Sequence, residues 1–350
     1  MLISHAATPE LSLLELDTSS VIARIPLAPE AELEAGANGR HGYAFSPAHG
    51  VLRVVDPGQW LLSHIDHFHI VRGEHRLMDE QVALPNLSSL RVNDGWTVSL
   101  AASTGAAALF QERSITARSF APTFVSLAPS SPGVALVAQA QLLASDGASL
   151  TQRSVLDPAL DATRLASCTR ARDAAANGER VYFACAEGVL RLTWVRAEER
   201  FAAQLLTTEA PVEAVRTTAR FDGVLLRIGA RTLGLLAEQA PLRLLELPSD
   251  IVALELRRQG GTALVLTVDG RAHELDLRSG SFSRTTSLPV TSRTRMVLGH
   301  AHAYLTDPTA AQVLVLRLRT MQLEPALLLA APAHDLALLG VPNTYTDERE

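Results

Sequence analysis

Two groups of residues in this 350-residue chain could do chemistry. The first is His64-Ile65-Asp66-His67-Phe68-His69, with His75 close behind; the second is the pair Cys168 and Cys185. The remaining histidines are spread thinly, so the first group stands out. Side chains alternate along a β-strand, so His67 and His69 share a face. Two imidazoles at i and i+2 can chelate one metal ion. Neutral imidazole suits zinc, and His64 or Asp66 would be a further ligand or would orient a ring. A regular strand turns His64 and Asp66 to the opposite face, so they reach the same ion only from a loop. The competing reading is a polar loop whose histidines bond to backbone and water. The two cysteines read either as buried thiols or as one disulfide across a hairpin, and a disulfide requires an oxidising compartment.

Other chemistries find no support. The chain has no lysine, which excludes a Schiff-base lysine and a Walker-type phosphate loop. There is no Gly-x-Ser-x-Gly elbow, and Gly260-Gly261 reads as a turn because no strand-to-helix phosphate cradle surrounds it. A lactonase-like calcium site needs several inward acids and asparagines, and no such set stands out. The chain is therefore not expected to be an enzyme. His300-Ala301-His302 repeats the i, i+2 spacing but reads as a strand near the surface, and Trp60, Trp96 and Trp194 read as packing. The formal net charge is −6 and the arginines are scattered, which argues against a nucleic-acid partner. No membrane span is expected: the apolar run 323–341 is interrupted by Glu324, Pro325, Pro332, His334 and Asp335.

The elements that must position these residues are short strands. Apolar runs such as Val181-Tyr182-Phe183-Ala184-Cys185 and Ala263-Leu264-Val265-Leu266-Thr267-Val268 are bounded by Asn177-Gly178, Asp269-Gly270 or Ser279-Gly280. Helical periodicity is suggested only at 29–34 and 157–165. A unit of strand, turn, strand, turn, strand recurs, most clearly over 251–289, with copies at about 86–121, 122–160, 161–210, 211–248 and 290–325. Its length of about 35–50 residues is that of a four-stranded propeller blade. Blades bury their faces only against neighbours, so they must close into a ring. The fold class is thus all-β, a β-propeller of about eight blades with seven as the alternative; an open sandwich is the rival architecture. Residues 1–28 offer three strands, Leu2–Ser4, Leu11–Leu16 and Val21–Pro26, and 335–340 offers a fourth. Pairing the two ends in one shared blade would remove an exposed edge. The expected organisation is one domain over 1–342, monomeric, with a polar tail at 343–350.

The run Val54-Val55-Asp56-Pro57-Gly58-Gln59-Trp60 followed by His64-Ile65-Asp66-His67-Phe68-His69 resembles the periplasmic zinc metallochaperones of the AztD type, which carry V-I-D-x-G-x-W and then H-G-D-H-x-H. Cys168 with Phe183-Ala184-Cys185-Ala186-Glu187-Gly188-Val189-Leu190 is similar to that family's cysteine pair, and 335–340 is similar to its closing strand. The resemblance implies a β-propeller, a Cys168–Cys185 disulfide, and zinc held by His67 and His69 with His64 and Asp66 as ligands or supports. It also implies transfer of zinc to the periplasmic solute-binding protein of a zinc ABC transporter. Three departures stand out. Ile65 replaces the motif's glycine, and Ala121-Pro122-Thr123-Phe124-Val125 and Cys168-Thr169-Arg170-Ala171-Arg172-Asp173 lack histidines that the family pattern carries there. His41, His300, His302 or His334 are the available stand-ins. The alternative function is a propeller that binds a protein partner through a scaffold whose metal site has decayed. Met1 runs directly into Leu2-Ile3-Ser4-His5 without a basic start or cleavage site. The expectation is a periplasmic or secreted protein whose true start lies upstream, the alternative being cytoplasmic.

Overall fold

The computed structural model describes residues 1–340 apart from 38, 64–67, 116–118, 130–132, 158–160, 238–239 and 258–259; the tail at 343–350 lies outside the described residues. Eight four-stranded antiparallel sheets form an eight-bladed propeller. Seven blades are contiguous in sequence: blade 1 over 32–83, then 89–126, 135–167, 173–207, 212–246, 251–287 and 296–328. Blade 8 takes its innermost strand, Ala333–Ala337, from one end of the chain. Its other three, Leu2–His5, Glu10–Glu15 and Ser20–Pro26, come from the opposite end. Leu2 pairs with Ala337, Ile3 with Leu336 and Ser4 with Asp335. The expected eight blades and shared closing blade are both present, and neither a seven-bladed ring nor an open sandwich is.

Burial follows position within a blade. The two middle strands are covered on both faces by neighbouring blades, so they read as continuous apolar runs rather than alternating ones. In Thr262–Thr267 every residue after the first is buried, and Arg180–Cys185 behaves alike. Outer strands face solvent and are polar, as in Ser281–Ser287. The core is accordingly a circle of apolar layers between blades, such as Phe183, Leu190 and Leu192 with Leu136, Leu143 and Leu150.

Two expectations need correction. No α-helix forms among the described residues. Glu32–Ala35 and Thr163–Ser167 are strands, and the helical turns are two short 3-10 segments, Glu112–Ser114 and Arg196–Glu198. In 29–34 the residues that matter, Glu32 and Glu34, are spaced two apart and line the central channel, a strand pattern that a six-residue window cannot separate from a helix. The repeat boundary near 121 also moves. Thr123–Ser126 is the outer strand of blade 2, not the start of the next unit, because the long 112–122 connection separates it from its own blade.

Candidate functional site

The up-and-down order of each blade fixes which connections share an end of the ring. The links from inner to second strand and from third to outer strand lie at one end; the other links lie at the opposite end. In blade 1 the link from third strand (Val51–Asp56) to outer strand (Arg76–Ala83) carries an inserted hairpin, Gln59–Ser63 paired with Phe68–Arg72. The histidine motif sits here. His64, Asp66 and His67 lie outside the described residues; His69 is on the second hairpin strand, opposite Leu62.

The base of the hairpin is rigidly made. Asp56 Oδ1 accepts from the Gly58 backbone N–H at 2.9 Å, and Asp56 Oδ2 accepts from Arg40 at 3.0 Å. The Gly73 N–H donates to Gly58 O at 2.6 Å. Gly58 has φ +70°, and a Cβ there would lie 2.5 Å from Gly73 O, so only glycine fits. This is the Asp-Pro-Gly step of the motif, and its role is to turn the chain out of the blade.

Next to Arg40, at the same end, is His41. Its ring is 2% exposed, and neither nitrogen has a hydrogen-bond partner among the described residues. His41 Nδ1 lies 3.8 Å from Oε1 of Glu112, a carboxylate 5% exposed at the start of the corresponding connection of blade 2. The hydroxyls of Tyr43 and Thr97 are buried beside each other. Burial first, then the nearby Glu112 charge, pushes the Tyr43 phenol up, while Thr97 pulls it back. Tyr43 and Phe120 pack their rings on Phe110, at 5.7 and 4.9 Å. Among the described residues no three of His, Cys, Asp and Glu converge as a metal cluster.

The other sequence candidates are dispersed. His75 is exposed at the hairpin base. His302 pairs with Glu324 at 3.0 Å on blade 7, and His334 belongs to the inner strand of blade 8. Cys168 and Cys185 are disulfide-bonded, both fully buried, tying the segment before blade 4 to the end of its second strand. That bond fits an oxidising compartment. Cys168 to Asp173 lies at the ring end opposite the hairpin, so the histidine missing there is not a loss to the hairpin site. Ala121 and Pro122 lie in the connection of blade 2 that holds Glu112, at the hairpin end, so that loss does bear on it.

The eight inner strands enclose a channel of about 1530 Å³. Its wall carries an ionic network invisible to local sequence reading. Asp173 accepts from Arg91 and from Arg216, each at 2.7 Å, and Arg216 reaches Glu255 at 3.2 Å. Asp173 Oδ1 also accepts from its neighbour Ala174 N–H and Oδ2 from Val215 N–H of the next blade. Asp335, in the opposite blade, repeats this arrangement. Oδ1 takes Leu336 N–H and Oδ2 takes Leu33 N–H of blade 1, each at 2.9 Å. The two differ in charge. Burial pushes Asp173 up, but Arg91, Arg216 and the Val215 N–H outweigh it and leave the carboxyl below its usual range. Asp335 has no arginine ion pair among the described residues, and burial pushes it up to about 6 against the pull of its two backbone donors and the weaker pull of Arg295. Glu34 lines the central channel, its side chain open to the channel but surrounded by the ring wall. That enclosure, with Glu255 and Asp335 opposing Arg91 and Arg216, raises it to about 7.

No protein-family model and no curated protein sequence matches the chain. Among solved structures, two of AztD from Citrobacter koseri, one of them the apo protein, align over 95% of both chains with a TM-score of 0.86 and 17% identity. The dihydro-heme d1 dehydrogenase NirN in complex with DHE aligns with a TM-score of 0.70 and 12% identity, over 97% of this chain and 75% of that one. The chain has the AztD fold.

Proposed function

We propose that this chain, which shares the AztD fold nearly end to end, is a divergent AztD-type zinc metallochaperone. It takes up zinc at the hairpin end of the ring and hands it to the periplasmic binding protein of a zinc ABC transporter. The observation that carries this reading is the coincidence of two independent facts. The zinc motif of the resembled family falls on an inserted hairpin, and the ring bearing it superposes on AztD over 95% of its length. In this reading His67 and His69 are the ligands, and His64 and Asp66 complete or orient the set. Imidazole nitrogens with one carboxylate suit zinc, and a hairpin projecting from the ring offers the metal to a partner without opening the core. Zinc here is cargo, so the site binds tightly enough to capture and weakly enough to release. The Cys168–Cys185 bond supports a periplasmic setting.

A competition titration with a chromogenic zinc chelator tests this. The hairpin should contribute one equivalent at about micromolar affinity or tighter, and His67→Ala/His69→Ala should remove that equivalent. Unchanged binding in the double variant would refute the assignment. Ala121 and Pro122, standing where the family pattern carries histidines, favour a second reading: a propeller that docks a protein partner without metal. Recovery of a transporter binding protein on the immobilised chain in the presence of chelator would select that reading.

A further inference from the structure

We propose, building on the zinc reading of the hairpin, that Arg40 is its positioning residue: an ion pair with Asp56 fixes the direction in which the hairpin leaves blade 1. Strand pairing alone does not set that direction. The last rung of the blade is Asp56 opposite Arg76, and the first rung of the hairpin is Gln59 opposite Arg72. Between them lie Pro57 and Gly58 on one side and Gly73, Glu74 and His75 on the other. This neck holds two glycines, the residues with the widest backbone freedom. Its two sides are joined by the bond from Gly73 N–H to Gly58 O. Such a bond acts as a pivot and leaves rotation of the hairpin about the neck open.

The Asp56 side chain supplies the missing constraint. One carboxylate oxygen holds the neck at Gly58 N–H, 2.9 Å away, and the other accepts from Arg40 Nη2 at 3.0 Å. Arg40 belongs to neither arm of the hairpin. It lies on the loop between the inner strand, Glu32–Ala35, and the second strand, Gly42–Ser46. That loop is itself tied down. Gly36 N–H donates to His41 O at 2.8 Å, Gly39 N–H to Gly36 O at 2.9 Å, and Gly39 O accepts from Gly340 N–H at 2.6 Å, just past the closing strand of blade 8. The guanidinium is thus presented from a platform anchored in two blades. The carboxylate is 1% exposed and the arginine side chain 29%, so the pair is largely shielded from water and its charge-assisted bond is strengthened. Without the guanidinium, Asp56 would be a buried charge with no counter-ion. Turning the neck outward is the way for it to regain water, and that turn swings the hairpin.

The test uses the full chain with three readouts: zinc affinity by competition, amide hydrogen exchange of residues 57–73 without metal, and the melting temperature of the ring. Arg40→Ala should speed exchange in 57–73 and weaken zinc at the hairpin by on the order of 10-fold, with the ring melting near its parental temperature. Asp56→Asn keeps an acceptor for Gly58 N–H but loses the ion pair, and it should do the same. The double variant should be no worse than the worse single one, because the two side chains act as a unit. Arg40→Lys, which keeps the charge, should recover most of both losses. Unchanged exchange and affinity in Arg40→Ala, beside a parent that binds zinc, overturns the positioning role alone. So do losses that simply add in the double variant, or an effect confined to the melting temperature. A parent that takes up no zinc refutes the hairpin reading and this role with it.

Discussion

Asp173 and Asp335 make the same backbone contacts in opposite blades, yet replacing each by asparagine should move stability in opposite directions at neutral pH. Asp335 is raised from 3.8 to about 6, chiefly by burial, with Glu32 adding repulsion and Arg295 offering partial relief. A folded-state value above the unfolded one means that its contribution is complete below about pH 4 and is lost as pH rises through about 6. At 1.36 kcal/mol per unit, holding Asp335 ionised costs about 3 kcal/mol in mildly alkaline buffer. Asp335→Asn removes that cost. It also loses one of two backbone bonds, worth about 1 kcal/mol, because the amide nitrogen cannot accept. The net expectation is a gain of about 2 kcal/mol near pH 8 and a loss of about 1 kcal/mol near pH 4. For a chain of this length 2 kcal/mol corresponds to about 3 °C in melting temperature. Asp173 is held below its ordinary value, so its contribution is present above 3.8 and disappears as pH falls through the lowered folded value. Asp173→Asn strips the carboxylate from Arg91 and Arg216 and should cost about 3–5 kcal/mol near pH 8. Thermal melts of both variants and the parent between about pH 4 and pH 8 measure this. Parallel curves for parent and Asp335→Asn would refute the charge argument.

Three further outcomes are expected. Cys168→Ala/Cys185→Ala, or reduction, should lower stability by about 3 kcal/mol in denaturant titrations, since the bond closes a 17-residue separation. Gly58→Ala should weaken zinc binding at the hairpin while the ring melts near its parental temperature, because the added Cβ collides with Gly73 O at the hairpin base and not with the blade core. Removing residues 333–350 should abolish cooperative unfolding and produce aggregates on gel filtration, since Leu2, Ile3 and Ser4 lose their partners in blade 8; a monodisperse product with an unchanged melt would contradict this.

The fold is readable from sequence because blade chemistry is local: apolar runs such as 263–268 are bracketed by Asp269-Gly270 and recur at a fixed length. The closing strand is also readable, since three strands at one end leave a blade one short. The channel is not. Arg91 and Asp173 lie 82 residues apart, and Arg216 and Glu255 lie 39 apart. Each is a charge within a short inner strand whose partners lie on other blades, and Glu255 alone interrupts an otherwise apolar run. Similarly His41 stands out only as one of several stand-in histidines. Glu112 carries no mark until the ring sets blade 2 against blade 1. The hairpin motif was legible as chemistry, but its place in the third-to-outer link of a blade required the strand pairing.

Because blade 8 is composed of segments from both extremities, the circle cannot be completed until the final strand has been delivered. A rearranged gene that linked residue 340 to residue 1 and opened the chain between blades 4 and 5 would build every blade from continuous polypeptide. Nothing would then fasten the last blade to the first except side-chain packing, and such a permutant should come apart faster than the parent even if its equilibrium stability were similar.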